Sequence, residues 1–158
     1  MSQAIGAFPW LEETSMNVAA ILKSKGKGVV TATPDMSLLE IAKLLDQHGI
    51  GCVVLEGDDG KVVGIVSERD LVRAIGRSGP KVLKDPVSDY MTRSVVTARE
   101  ADTIDRLMSE MTAHRFRHMP VVERGRLIGL VSIGDVVKMR IAEAEMEAAA
   151  MREYIATG

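Results

Sequence analysis

At 158 residues the chain is long enough for one compact domain, or for two small units sharing a core, and its formal net charge of −2 argues against nucleic acid or an anionic membrane as a global partner. Aromatic residues make up only 3%, so the core must be aliphatic, with ten Met as adaptable fillers. A single cysteine excludes an internal disulfide, and no apolar run approaches the roughly eighteen residues that cross a bilayer.

Residues 1–16 lack the basic start and long apolar stretch of a signal peptide, so a cytoplasmic protein with an N-terminal arm outside the core is expected. The Gly/Lys segment Lys23–Gly28 reads as an exposed turn. It is not a phosphate loop of the Walker type, because no Gly-Lys-Ser/Thr follows four residues after a first glycine. A β-like run over Gly28–Thr33 leads to Ser37-Leu38-Leu39-Glu40, a capping box that opens an amphipathic helix. Leu38, Ile41, Leu44 and Leu45 form its apolar stripe, and Gly49 ends it. Two apolar strands follow, Cys52–Leu55 and Val62–Val66, joined by a Gly/Asp turn. A second helix is expected to open at Asp70. After residues 78–85, read as a linker, the order recurs. A β-like run covers Ser94–Ala98, and a helix carries Ile104, Leu107, Met108 and Met111. Strands at Met119–Val122 and Leu127–Val131 precede a last helix opening at Asp135.

The chain is therefore an internal repeat. Gly64-Ile65-Val66-Ser67-Glu68-Arg69-Asp70 recurs as Gly129-Leu130-Val131-Ser132-Ile133-Gly134-Asp135, 65 residues later. Upstream, Val30-Thr31-Ala32 matches Val96-Thr97-Ala98 at a separation of 66. The change of one residue falls where Gly57–Gly60 is answered by the shorter Glu123-Arg124-Gly125, and loops are where insertions belong. The expected fold is α/β (α+β): two β-α-β-β-α repeats, residues 17–77 and 86–141, packed about a pseudo-twofold axis, with an extended helix over 142–158. Each unit alone buries too little apolar area, and pairing leaves two clefts at the boundary.

The doubled β-α-β-β-α pattern, with Gly-aliphatic-aliphatic-Ser-x-x-Asp at its last strand-to-helix turn, resembles the CBS domain. The resemblance covers about residues 17–141. It implies a regulatory sensor that binds adenine nucleotides (AMP, ADP, ATP or NAD(H)) between the repeats, without catalytic activity and without a catalytic cofactor.

Taken alone, Asp70 and Asp135 read as helix N-caps. The resemblance implies instead that each accepts hydrogen bonds from ribose hydroxyls, a task suited to a carboxylate. Ser67 and Ser132 either cap or meet a phosphate beside free helix amides. Arg115, Arg117 and His118 read either as a solvated strand end or as a phosphate clamp beside Ser132 and Asp135. The matching stretch Gly49-Ile50-Gly51-Cys52 is uncharged, so the two clefts are chemically unequal. The resemblance implies that the Asp135 cleft also draws on Lys25, Lys27, Gly28, Ile50 and Gly51. It implies that the Asp70 cleft draws on Ser67, Arg69, Met91, Arg93, Phe116 and Arg117.

Three histidines without a His-x-x-x-His or Cys-x-x-Cys pair give no zinc pattern, and Cys52 in an apolar run reads as a structural thiol. The rival to a sensor is a ligand-independent interaction module. Val137, Ile141, Ala144, Ala148, Met151 and Ile155 recur at steps of four and three, a heptad-like seam. It fits either a tail lying on its own domain or a homodimer, and the homodimer is expected.

Overall fold

The computed structural model describes residues 16–26 and 28–158. Lys27 and all of the N-terminal arm but Met16 lie outside the described residues. Helix α1 (Val18–Lys25) starts at Asn17, whose side chain accepts from the Ala20 amide, and ends at Gly26 with φ +93°. Strand β1 is only Thr31–Ala32, far shorter than the run expected from Gly28, and Pro34 follows without an amide to continue a ladder. Helix α2 (Leu38–His48) opens on the expected capping box of Ser37 and Glu40 and stops at Gly49 in the left-handed region. Strands β2 (Cys52–Glu56) and β3 (Val62–Ser67) pair antiparallel, with β1 parallel on the outer edge of β2. Helix α3 spans Glu68–Ser78.

The second repeat follows with α4 (Ile104–His114), β4 (His118–Glu123), β5 (Arg126–Ser132) and α5 (Ile133–Thr157). Strands β4 and β5 form an antiparallel pair. The run expected over Ser94–Ala98 is not a strand. Only Ala98 reaches β4, donating to Pro120 O at 2.9 Å and accepting from the Val122 amide at 2.9 Å.

Three features depart from the sequence reading. Helices α3 and α5 open two residues before Asp70 and Asp135, because Ser67 and Ser132 are the N-caps and the aspartates stand at the third helical position. Residues 78–85 are not a bare linker. They hold a 3-10 helix at Pro80–Lys84 whose Val82 is buried with Ile41, Leu71 and Val87 in the first core. Helix α1 opens the first repeat but packs into the second core, where Val18, Ile21 and Leu22 join Leu107, Met119 and Val131. Its first amides donate across the boundary, Val18 to Asp102 O and Ala19 to Glu100 O, both at 3.0 Å.

These crossings explain the glycine in the repeated motif. A Cβ on Gly129 would lie 2.5 Å from Leu22 Cδ2, and one on Gly64 would lie 2.5 Å from Met91 Sδ. In each repeat the last strand accepts a bulky apolar side chain from a segment leading into a repeat, and only glycine leaves room.

Helix α5 runs unbroken to Thr157, and Val136 is its only fully buried residue. Val137, Ile141, Met151 and Ile155 of the heptad-like seam are exposed, Ile155 at 75%. The tail therefore does not lie on its own domain. No described helix is long and apolar enough to cross a membrane.

Candidate functional site

Each repeat presents the same device at the turn from its last strand into its last helix. Ser132 Oγ accepts from the Asp135 amide at 3.2 Å, and Asp135 Oδ2 accepts from the Ser132 amide at 2.9 Å. In the first repeat Ser67 Oγ accepts from the Asp70 amide at 3.3 Å, and Asp70 Oδ2 accepts from the Ser67 amide at 2.8 Å and from the Ser67 hydroxyl at 3.1 Å. These are reciprocal capping boxes with Asp in the role usually given to Glu. Capping uses one oxygen only. Oδ1 of either aspartate has no hydrogen-bond partner among the described residues, so a carboxylate can cap its helix and still accept from a ligand.

The surroundings of the two carboxylates differ. Lys25 Nζ, at the end of α1, donates to Asp135 Oδ2 at 2.7 Å and to Leu130 O at 2.8 Å. Burial pushes the Asp135 carboxyl up, but the Lys25 ammonium and the Ser132 amide and hydroxyl outweigh it, leaving it below the usual carboxylate range. His118 opens β4 opposite Ser132, and its imidazole sits 3.5 Å from where a Cβ on Gly51 would be. Burial, and then the Lys25 ammonium, hold His118 below its ordinary value against the opposing pull of Asp135 and Glu68, so it is neutral at pH 7. Lys25, Gly51, His118, Ser132 and Asp135 thus meet in one cleft formed by both repeats. Gly28 is exposed with open space around it.

Arg115, in the left-handed region at the end of α4, and Arg117, just before β4, line a cavity of about 310 Å³ with Arg69, Thr112, Phe116 and Ile133. The three basic groups read as one clamp do not line one cavity, because His118 opens the strand and faces Gly51 instead. Arg69 occupies the second position of α3, where a cation opposes the helix dipole, and it converges with Phe116 and Arg117 as the sequence reading expected. Of the rest of that expected set, Ser67 caps α3. Met91 is buried against Gly64, and Arg93 Nη2 donates to Ser88 O at 3.0 Å.

A second cavity, of about 590 Å³, occupies the equivalent place in the first repeat, lined by Asp46, Gly49, Ile50, Gly51, Glu68 and Val72. Ile50 therefore borders this groove. Matched positions make the backbones alike, with Glu68 donating its amide to Gly51 O at 2.9 Å and Ile133 donating to Arg117 O at 2.8 Å. Sequence reasoning missed Glu68, whose carboxylate faces Gly51 and acts on His118. Its signal was an acid one residue after the capping serine, where the second repeat has Ile133. Cys52 is buried, and burial pushes its thiol up to about 12 against a smaller pull from Lys25, so it is no nucleophile at neutral pH. No group of His, Cys, Asp or Glu able to hold a metal occurs among the described residues.

Two pseudo-equivalent units, each with a Ser-x-x-Asp capping turn between its last strand and last helix, define a paired module. The chain belongs to the CBS domain family, whose model matches residues 24–77 and 87–141. It is 33% identical over 152 residues to the CBS domain-containing protein CBSX3, mitochondrial, of Arabidopsis thaliana, covering 91% of this chain and 74% of the relative. Among solved structures it resembles the CBS-domain containing protein ATU1752 of Agrobacterium tumefaciens, at 50% identity and a TM-score of 0.77 over 79% of this chain and 99% of that one. It also resembles the CBS domain protein PAE2072 of Pyrobaculum aerophilum complexed with AMP, at 28% identity and a TM-score of 0.68 over 76% of this chain and 89% of that one.

Proposed function

We propose that this chain is a non-catalytic sensor that binds an adenine nucleotide between its repeats, with the ribose on Asp135 and the phosphate toward Ser132, His118 and Lys25. The observation that carries this reading is Asp135 itself. One oxygen is held by the capping box and Lys25, while Oδ1 has no hydrogen-bond partner among the described residues and has a cation beside it. The AMP complex of PAE2072 supports the ligand class. An incoming ribose competes with Lys25 for the carboxylate, and the freed ammonium is then available to the phosphate. Thermal shift and calorimetric titration with AMP, ATP and NADH test the reading. Saturable binding of at least one is expected, and no shift or heat with any of them would overturn it.

A second reading, an assembly role for the tail, is favoured by the exposed seam of α5. A contiguous apolar strip left in water is costly, and an isologous contact covers it most simply. Truncation after Arg140 is therefore expected to weaken self-association in light scattering across a dilution series. A truncated chain that associates as tightly as the full one would remove the tail from the interface.

A further inference from the structure

Lys25 ties the end of α1 to both parts of the distant Ser-x-x-Asp turn. Its ammonium donates to Asp135 Oδ2 on α5 at 2.7 Å and to Leu130 O on β5 at 2.8 Å. Oδ2 also accepts from the Ser132 amide at 2.9 Å, and these two donors occupy both of its lone pairs. A ribose diol that donates to both carboxylate oxygens must therefore displace Lys25, since Oδ1 alone offers a one-oxygen grip. The first repeat has no such tie. Sixty-six positions on, Met91 stands in place of Lys25 with its sulfur against Gly64. Ile65 O, the counterpart of Leu130 O, accepts the Thr92 amide at 2.9 Å instead. The shared backbone does not require a lysine here, so Lys25 is an addition to one cleft.

Displacing Lys25 has opposite consequences for two classes of ligand. A neutral nucleoside takes the carboxylate and leaves the ammonium without its anionic partner. A 5′-phosphate supplies a new one. An ammonium has three donors, so Lys25 can keep Leu130 O, swing away from Asp135 and meet the phosphate. Among the described residues no other cation is paired with Asp135. His118 is neutral, and Arg117 lies in the cavity with Arg69 and Arg115. We infer that Lys25 sets the specificity of the Asp135 cleft, closing the carboxylate to unphosphorylated adenosine ligands and opening it to those that carry a 5′-phosphate. This role rests on nucleotide binding at Asp135 and narrows the ligand class of that cleft.

Calorimetric titration of the parent and of Lys25→Met with AMP and with adenosine tests the gate. The parent binds AMP at least about tenfold tighter than adenosine, the scale of one hydrogen bond to a charged group. In Lys25→Met the two affinities move in opposite directions: AMP weakens on the order of tenfold, and adenosine tightens. A lysine that merely props the cleft would weaken both ligands together when removed. Methionine keeps an apolar stem at the end of α1, where the Lys25 side chain is 37% exposed. Should the variant fail to fold, the parent gives a second measure. Inorganic phosphate added at constant ionic strength draws the ammonium off Asp135 and so tightens adenosine binding. Adenosine affinity that phosphate leaves unchanged or lowers overturns the gate. So do parallel losses for both ligands, affinities unmoved by Lys25→Met, or a parent that binds adenosine as tightly as AMP, and each of these leaves nucleotide binding standing. A parent that binds none of AMP, ATP and NADH overturns the nucleotide reading as well.

Discussion

Asp135→Ala loses at least about tenfold in affinity for AMP. A hydrogen bond to a charged group contributes about 1.5–3 kcal/mol, and about 1.4 kcal/mol is tenfold. The carboxylate also caps α5, so the substitution removes part of a helix start as well. Asp135→Asn separates the two roles, because its amide oxygen can still accept from the Ser132 amide while the ligand-facing oxygen becomes a donor. If capping were all that Asp135 does, Asp135→Asn would bind AMP as the parent does. Asp70→Ala is expected to lose less, since buried Cys52 stands where the second repeat has His118, and no lysine reaches Asp70 among the described residues. Calorimetry on the separate variants checks the order. Equal affinity of the parent and Asp135→Ala would sink the placement, and a greater loss in Asp70→Ala would reverse the ranking of the clefts.

The second large effect concerns stability. Leu22→Ala is expected to cost about 2–5 kcal/mol, the range for a fully buried leucine whose cavity does not collapse. Leu22 is 2% exposed and sits on Gly129 of β5, although its helix opens the first repeat. Gly129→Ala alone costs about 1–3 kcal/mol through overpacking, because its new methyl lies 2.5 Å from Leu22 Cδ2. Combining the two should cost clearly less than their sum, since the alanine at 129 enters the space vacated by leucine. Denaturant melts of the four proteins measure the coupling. Strict additivity would mean that α1 does not dock on β5 in solution.

Much of this architecture was legible in the chain itself. The first helices of both repeats follow from local signals: the capping box at Ser37, the apolar stripes of Leu38–Leu45 and Ile104–Met111, and the stop at Gly49. The repeat of Ser-x-x-Asp marked both turns, and the absence of charge around Gly51 marked the clefts as unequal. Such features survive reading in one dimension because a helix or hairpin is decided by neighbours a few residues away.

What needed the tertiary structure are matters of side and crossing. Arg117 and His118 are adjacent in sequence, yet Arg117 lines the cavity with Arg69 and Arg115 while His118, which opens β4, faces Gly51. Lys25 meets Asp135 and Leu22 meets Gly129 only because α1 crosses to the far repeat, a non-local choice that no periodicity encodes. The free oxygen on each aspartate was hidden for the same reason. Composition can show that a carboxylate caps a helix, but only the surrounding backbone shows which of its lone pairs remain for a ligand.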